Sequence, residues 1–392
     1  AIRSRGGAPG LERVARLVTG VVHAQGLEDI VAGEPLERLA GNILHHPAQE
    51  DKTQVRVGEL GTGCRQQRRG AQLGPRRRLA CLVMLSSSAA AQDIFLKPEE
   101  AGPEFAVQGE YTGTVEIDGQ KVPVGLQVIA LGDSKFDAVA YPGGLPGAGW
   151  LGTDKHRASG TLKDGVAKFE SGDGITAEIR NGEATVKSAS GSSLGALKKT
   201  ERVSPTLGAK PPAGAVVLFD GKSADNFNRG QLMLGDLLAA DCETKEKFGS
   251  HTLHIEFRTP FKPKGRGQDR GNSGVYVQGR YECQVLDSFG LEGENNECGG
   301  IYSIARPAVN ACFPPLSWQT YDIDFTAAQY EGDRKVKNSR VTIRHNGIVI
   351  HDNLELPKGT PGKNPEGPGP DVIYLQGHGN PVAYRNIWVV RK

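Results

Sequence analysis

The chain has no apolar run close to the roughly 20 residues that a membrane-spanning helix requires. It also carries little net charge, +2 over 392 residues. Residues 1–91 contain 13 Lys and Arg against 8 Asp and Glu, so this part is +5 and the remainder is −3. A weakly acidic body lacks the basic face that nucleic-acid binding needs. We therefore expect neither a transmembrane segment nor a nucleic-acid partner.

Methionine is scarce, with 2 residues, whereas glycine and proline are abundant, with 53 and 23. Short apolar runs between such turn-forming residues are typical of β-strands, and no helical period of any length follows residue 215. The sequence therefore predicts an all-β protein. Its length allows two domains, at least one of them with a sizeable core.

Residues 1–75 differ from the rest, because they are rich in Arg, contain one Lys and lack a sustained hydrophobic period. Either translation starts downstream of them or they form a disordered leader. Residues 76–91, RRRLACLVMLSSSAAA, have the basic start, short apolar core and small-residue exit of a secretory signal peptide cleaved before Gln92. We expect a periplasmic or secreted protein.

Residues 92–203 predict a small antiparallel β domain, either a sandwich or a barrel. Hairpin turns with Asp-Gly or Asn-Gly pairs occur at residues 118–120, 163–165 and 181–183. A loop rich in Gly and Pro between Tyr141 and Trp150 either presents one of these rings to a sugar or uses it to plug the barrel. Residues 204–214, SPTLGAKPPAG, predict a linker.

Residues 215–392 contain about a dozen short alternating runs, which predict a two-sheet jelly roll with a ligand on one face. The most informative stretch is 270–288, where apolar and polar side chains alternate from Val275 to Val285. The apolar face contains Val275, Val277, Tyr281, Cys283 and Val285, and the polar face contains Tyr276, Gln278, Arg280, Glu282 and Gln284. The polar face suits a hydroxyl-rich ligand, or is an exposed face with its own ion pairs.

Four of the six cysteines follow the predicted cleavage site: Cys242, Cys283, Cys298 and Cys312. In an exported protein they can form two disulfides, and Cys298 with Cys312 is the preferred pair because one short segment separates them. Cys283 falls on an apolar face and is alternatively a buried thiol. None of the four has the spacing of a zinc site.

Several motifs of the second domain resemble one family, the 3-keto-disaccharide hydrolase domain of exported planctomycete-type proteins. They are LFDGK at 218–222, RGNSG at 270–274, YECQVLD at 281–287, WQTY at 318–321, YLQGHGNP at 374–381 and RNIW at 385–388. The resemblance covers about 175 residues and implies a concanavalin A-like lectin/glucanase jelly roll. It also implies cleavage of glycosides that carry a ketone at sugar carbon 3.

Such a ketone acidifies the hydrogen on carbon 2, so a base can remove it while the leaving group departs from carbon 1, and water then adds to the enone. The reaction needs a base, an acid for the leaving oxygen and donors for the enolate. The catalytic candidates are Glu282, Asp287 and His378. The substrate-binding candidates are Arg270, Asn272, Arg280, Gln284, Gln376, Asn380 and Arg385. A divalent cation held by carboxylate and imidazole could replace an Arg.

Two other functions stay open. One is a lectin-like carbohydrate-binding module without chemistry. The other is an ordinary glucanase, which needs two acids flanking the cleaved bond; Gln284 sits where a middle acid would be wanted. Each candidate also has a structural interpretation: Asp287 as a turn cap, for example, or Arg385 as a tie between a strand and a loop. The remaining polar residues are interpreted as packing or solvated groups: His254, His345, His351, Glu256 and Arg258.

Overall fold

The computed structural model of the protein describes residues 93–152 and 154–392. The predicted leader (residues 1–75) and signal peptide (residues 76–91) lie outside the described residues. Within them, regular structure is β apart from helix α1 (Gly102–Val107) and two 3₁₀ turns (Pro98–Glu100 and Gly267–Asp269), so the all-β prediction is confirmed. None of the described helices is long and apolar enough to span a bilayer.

The first domain is a closed barrel of eight antiparallel strands joined in chain order. The strands are β1 (Gly109–Ile117), β2 (Gln120–Gly132), β3 (Lys135–Pro142), β4 (His156–Lys163), β5 (Val166–Ser171), β6 (Thr176–Arg180), β7 (Glu183–Lys187) and β8 (Ser193–Thr200). The sequence did not predict β8, which closes the barrel by pairing with β1.

Three tight turns explain why this sequence forms a meander. Asp118-Gly119, Asp164-Gly165 and Asn181-Gly182 have positive φ at both residues, the conformation that a two-residue hairpin turn requires and that Asx-Gly pairs adopt most easily. The hairpins predicted at these positions are confirmed. Inside the barrel, apolar side chains such as Val128, Phe136 and Ile179 form a separate core.

The second domain is a sandwich of two antiparallel sheets, as predicted. Its strands are β9 (Val216–Phe219), β10 (Phe227–Asn228), β11 (Leu232–Met233), β12 (Leu237–Ala239), β13 (Cys242–Thr244), β14 (His251–Arg258), β15 (Ser273–Val277), β16 (Tyr281–Val285), β17 (Gln319–Thr326), β18 (Gln329–Glu331), β19 (Arg334–Lys337), β20 (Ser339–His345), β21 (Ile348–Leu356), β22 (Tyr374–Leu375) and β23 (Ala383–Arg391).

The first sheet has five strands in the order β10-β13-β22-β15-β16. The second has eight, in the order β11-β12-β23-β14-β17-β20-β21 with β9 alongside β23, and β18 pairs with β19 separately. One apolar core fills the space between the two sheets, with Ile255 and Phe257 contributed by β14 and Val275 by β15. The polar face of the five-stranded sheet is therefore the face opposite this core.

The alternating stretch Val275 to Val285 was predicted as one extended chain, and this is wrong: it is a hairpin of β15 and β16. Gln278 and Gly279 form its turn with positive φ. Val277 pairs directly with Tyr281, so the apolar side chains of both strands still share the core face. Gln278 and Arg280 belong to the turn and leave the polar face.

The predicted disulfides are also not present, since Cys242, Cys283, Cys298 and Cys312 are free buried thiols. All four lie in the sandwich core, where they pack as small apolar groups. Burial raises the pKa of the Cys242 thiol to about 12, which keeps it protonated.

Residues 204–209 of the predicted linker dock on the outer face of the eight-stranded sheet. The Ser204 hydroxyl lies 2.6 Å from that of Thr320, and Thr206 donates to Asp322 at 2.6 Å. The Gly208 N–H donates to the carboxylate of Glu256. Glu256, interpreted from sequence as solvated, is buried because this segment covers it.

Candidate functional site

A row of polar side chains crosses the polar face of the five-stranded sheet. The strand register places Glu282 opposite Tyr276, Tyr276 opposite Tyr374, and Tyr374 opposite Glu243. Their chain neighbours on either side point into the core, so alternation directs this row away from it. Four neighbouring strands thus contribute to one continuous surface.

Glu282 is the buried carboxylate of this row, with 3% of its surface exposed. Tyr276 donates a hydrogen bond to its Oε2 at 2.8 Å, and Gln376 donates to the Tyr276 hydroxyl at 3.1 Å. Burial raises the pKa of Glu282 to about 7, although the Tyr276 hydrogen bond opposes the rise. The group therefore exchanges a proton near neutral pH.

Gly274 provides the space that the Glu282 carboxylate occupies. A Cβ at Gly274 would overlap Oε1 of Glu282, so any larger residue would displace the carboxylate. Gly274 pairs with Gln284, and its carbonyl accepts the backbone N–H of Gln376. The carboxylate thus lies over the backbone of Gly274, whose neighbours on either side are Gln284 and Gln376.

A cluster of amides continues the site beyond Gly274. The Gln268 Oε1 accepts hydrogen bonds from Asn272 at 3.1 Å and from Gln284 at 2.9 Å. Asn272 Oδ1, Gln284 Oε1 and Gln376 Oε1 are buried and have no hydrogen-bond partner among the described residues. A buried acceptor without a donor costs free energy, so three on one face favour a ligand that brings donors.

A Pro- and Gly-rich segment, residues 357–371, covers the turn end of the hairpin, and we call it the strap. The Pro361 carbonyl lies 3.0 Å from the Tyr276 hydroxyl and shares its single proton with Glu282. Thr360 Oγ1 accepts the N–H of Glu282 at 2.8 Å. Lys363 forms an ion pair with Glu243 at 2.6 Å, which fixes the strap across the row.

Arg280 was predicted to bind substrate, but the structure uses it to hold the strap. Its guanidinium donates to the carbonyls of Gly367 at 2.7 Å and Gly369 at 3.2 Å, and it pairs with Asp371 at 3.4 Å. The hairpin turn directs the side chain away from the polar face, which the prediction of one continuous strand had missed.

Arg270 and Asp287, predicted to act on the substrate, form a buried ion pair instead. Arg270 Nε lies 2.6 Å from Asp287 Oδ2, and the Asp287 side chain is completely buried. The Asp287 N–H also donates to the Arg270 carbonyl at 3.0 Å. The two charged groups pair with each other at the open end of the hairpin, where β15 begins and β16 ends. Neither is placed to touch a substrate.

His378 and Asn380 lie where the sheet face opens to solvent. The strand β22 ends at Leu375, so residues 376–378 lie beyond the end of the strand. The Asn380 carboxamide accepts the Gly271 N–H at 3.2 Å and donates to the His378 carbonyl at 3.2 Å. His378 itself is exposed, and its ring has no hydrogen bond to the described residues.

Arg385 lies on the other sheet, away from the row. Its Nε donates to Glu256 at 2.7 Å, and its guanidinium stacks on Trp318 at 3.9 Å. The neighbouring His254 stacks on Trp388 and lies 2.6 Å from Asp322. The fold therefore does not bring Arg385 to the row, because its side chain lies on the outer face of the eight-stranded sheet, where the linker docks.

The sequence analysis missed Gln268 and Thr360 and did not assign a role to Tyr276. Tyr276 alternates onto the polar face, which was a usable signal. Gln268 precedes the hairpin and Thr360 lies about 80 residues after it, so only the fold brings them together. Across residues 93–152 and 154–392, no three His, Cys, Asp or Glu side chains are grouped closely enough to hold a metal ion.

Residues 214–390 match the family described as the 3-keto-alpha-glucoside-1,2-lyase-like domain. Three similar solved structures are candidate glycosyl hydrolases from Parabacteroides distasonis. One has 31% identity and a TM-score of 0.43, covering 46% of this chain and 85% of its own. The second has 16% identity, a TM-score of 0.35 and coverage of 46% and 94%. The third has 22% identity, a TM-score of 0.33 and coverage of 45% and 99%. No curated protein matches the chain.

Proposed function

Since the chain belongs, through residues 214–390, to the 3-keto-alpha-glucoside-1,2-lyase-like domain family, we propose that it cleaves glycosides already oxidised to a ketone at sugar carbon 3. The observation that carries the proposal is the buried carboxyl group of Glu282 near three amide oxygens that have no hydrogen-bond partner among the described residues. An elimination on a keto-sugar needs a base of matched pKa, and acceptors for hydroxyl groups can bind the sugar beside that base.

Glu282 is the general base in this proposal. With a pKa of about 7 it is half ionised at neutral pH, and its low-dielectric surroundings strengthen its ionised form as a proton acceptor. It removes the proton on carbon 2, whose acidity comes from the neighbouring ketone. The electron pair then expels the leaving oxygen from carbon 1, giving an enone to which water adds.

The amide side chains bind and orient the sugar. Asn272, Gln284 and Gln376 each have a side-chain oxygen without a donor among the described residues, and sugar hydroxyls are the proposed donors. A neutral, hydroxyl-rich ring satisfies these acceptors without bringing a charge into a buried site. His378, at the solvent-facing edge near Asn380, is the proposed source of the proton for the leaving oxygen.

The test is turnover of a 3-keto disaccharide by the purified full chain, measured beside the unoxidised parent disaccharide. We expect turnover of the keto form only. Glu282→Gln keeps the shape of the side chain but removes the base, so kcat should fall by about 10²- to 10⁴-fold. Asp324→Asn is the control, because it alters an exposed carboxylate on the opposite sheet, the partner of Lys392, and should leave kcat unchanged.

Other results would replace the proposal. Turnover of the parent disaccharide would support an ordinary glucanase. Binding of either sugar without turnover would support a lectin-like module. Turnover of the keto form at an unchanged rate in Glu282→Gln would keep the activity but remove Glu282 as its base.

A further inference from the structure

The outer wall of the barrel contacts the chain segment that follows β16, residues 286–297, which we call the bridging segment. Phe289 is buried in a cluster with Ile129, Val139 and Tyr141 of the barrel. A Cβ at Gly290 would overlap the Ile129 side chain, so backbone and barrel are in close contact there. Tyr141 therefore faces the second domain, and it neither plugs the barrel nor meets solvent.

Polar contacts reinforce this apolar one. Arg270 donates to the carbonyl of Ala130 at 3.1 Å while its Nε pairs with Asp287. Lys155 forms an ion pair with Glu292 at 2.6 Å, and Arg157 contacts the same carboxylate. The barrel is thus connected both to the residue that closes the hairpin and to the segment leaving it.

The bridging segment returns directly to the amide cluster. The Asn296 carbonyl accepts hydrogen bonds from Gln268 at 2.8 Å and from Gln284 at 3.3 Å. The backbone of Gln284 then pairs with Gly299 and Gly300, both at 2.9 Å. The segment therefore runs from the barrel wall to a side chain that the proposed function assigns to sugar binding.

We propose that the barrel is a positioning element for the candidate site, holding Asn272 and Gln284 in place through Arg270 and the bridging segment. This inference rests on the proposed function for its catalytic consequence. It gives residues 93–200 a role in substrate affinity, which neither the family match at residues 214–390 nor the sandwich fold assigns to them.

The strap supports the hairpin independently of the barrel, and this determines which kinetic constant a change in the barrel should affect. The strap holds the turn end of the hairpin, where Thr360 and Pro361 fix Glu282 and Tyr276. The barrel supports only the open end, where the amides lie. Loosening the barrel contact should weaken substrate binding, so KM rises while kcat and its pH dependence stay near those of the unmodified protein.

The experiment compares Ile129→Ala with Ile179→Ala in the full chain. Both shorten a buried barrel residue, but Ile129 contacts the bridging segment whereas Ile179 packs inside the barrel. At a temperature where both variants are folded, we expect Ile129→Ala to raise KM several-fold with kcat within about twofold. Ile129→Val should restore most of the affinity, and Ile179→Ala should leave KM unchanged.

Hydrogen exchange supplies a readout that does not depend on turnover. In Ile129→Ala the amides of residues 281–297 should exchange faster, and in Ile179→Ala only barrel amides should do so. Equal KM and equal exchange at 281–297 in the two variants would overturn the positioning role. If no keto-sugar is turned over by the unmodified protein, the proposed function fails while the exchange comparison still decides this inference.

Discussion

Whether a carboxyl group can serve as a base near neutral pH depends on small features of its surroundings, and for Glu282 these are burial and one phenol. Burial raises the pKa of Glu282 to about 7, and the hydrogen bond from Tyr276 lowers it. Gln376 donates a hydrogen bond to the same phenol, and the Pro361 carbonyl lies 3.0 Å from it. These contacts fix the position of the Tyr276 hydroxyl beside Glu282. The pH dependence of the reaction should therefore report on Tyr276.

Tyr276→Phe removes this donor without changing the ring. The pKa of Glu282 should then rise further, and the pH at which kcat is half-maximal should move upward, lowering kcat at pH 7. Tyr374→Phe is the matched control, because Tyr374 lies beside Tyr276 but directs its hydroxyl to Asp241 at 3.4 Å. Measured pH profiles of kcat check this, and an unchanged or lowered midpoint in Tyr276→Phe would contradict it.

Residue type and alternation placed Glu282 and Gln284 on the polar face from the sequence, since side chains on one strand face have a fixed direction. Residue type and alternation could not distinguish a charged side chain that binds a ligand from one that forms an ion pair within the protein. Arg270 and Asp287 lie 17 positions apart and pair only because the hairpin folds. The position of Arg385 relative to the site depends on which sheet contains the last strand, and no local sequence pattern predicts that.

At the scale of elements, the turns were the best-predicted features, because Asx-Gly pairs encode their own backbone conformation. Strand β8 was missed because Ser193–Thr200 contains few apolar residues and shows weak alternation. The linker was recognised by its Pro and Gly content, but its docking was not. Its partners Glu256, Thr320 and Asp322 lie on strands far along the chain.

Glu256 is a buried charged group that accepts a hydrogen bond from the docked linker, which leads to a stability prediction. Burial alone would raise the pKa of Glu256, but hydrogen bonds from His254, Asn386, the Gly208 N–H and Arg385 lower it to about 2. Because the folded pKa is depressed, the ionised carboxylate stabilises the fold above about pH 4.5, and this stabilisation is lost as the pH falls toward 2.

Glu256→Gln should cost about 3–5 kcal/mol in the free energy of unfolding at pH 7, since it leaves buried donors and Arg385 without a charged partner. The difference from the unmodified protein should shrink as the pH is lowered. Urea unfolding at several pH values measures it. Asp324→Asn on the same sheet, an exposed partner of Lys392, should cost no more than about 1 kcal/mol. Equal losses in both variants would contradict the role given to the buried charge of Glu256.

At the scale of the whole molecule, the two domains share buried aromatic residues. Phe261 of the second domain belongs to the barrel core, where it packs against Phe95 and Phe105 at ring distances of 5.9 and 5.3 Å. Phe289 packs against the barrel wall, and Arg202, just after the barrel, stacks on Phe313 at 4.9 Å. Neither domain can be removed without exposing rings that are now buried.

We therefore expect the described part of the chain to unfold in one cooperative transition. Burying one large apolar side chain contributes roughly 1.5–3 kcal/mol, and a domain is stable by only about 5–15 kcal/mol. A protein beginning at residue 204 exposes Phe261, Phe289 and Phe313 together. The free energy of unfolding lost in this way approaches the entire net stability of the domain. Calorimetry of residues 93–392 should give one transition whose calorimetric and van't Hoff enthalpies agree, and the shortened protein should aggregate or bind a hydrophobic dye.

Two separate transitions, or a shortened protein that is monomeric and unfolds cooperatively, would show that the sandwich is stable without the barrel. The barrel would then act on the site only through the hairpin contacts, without contributing to the fold that carries them.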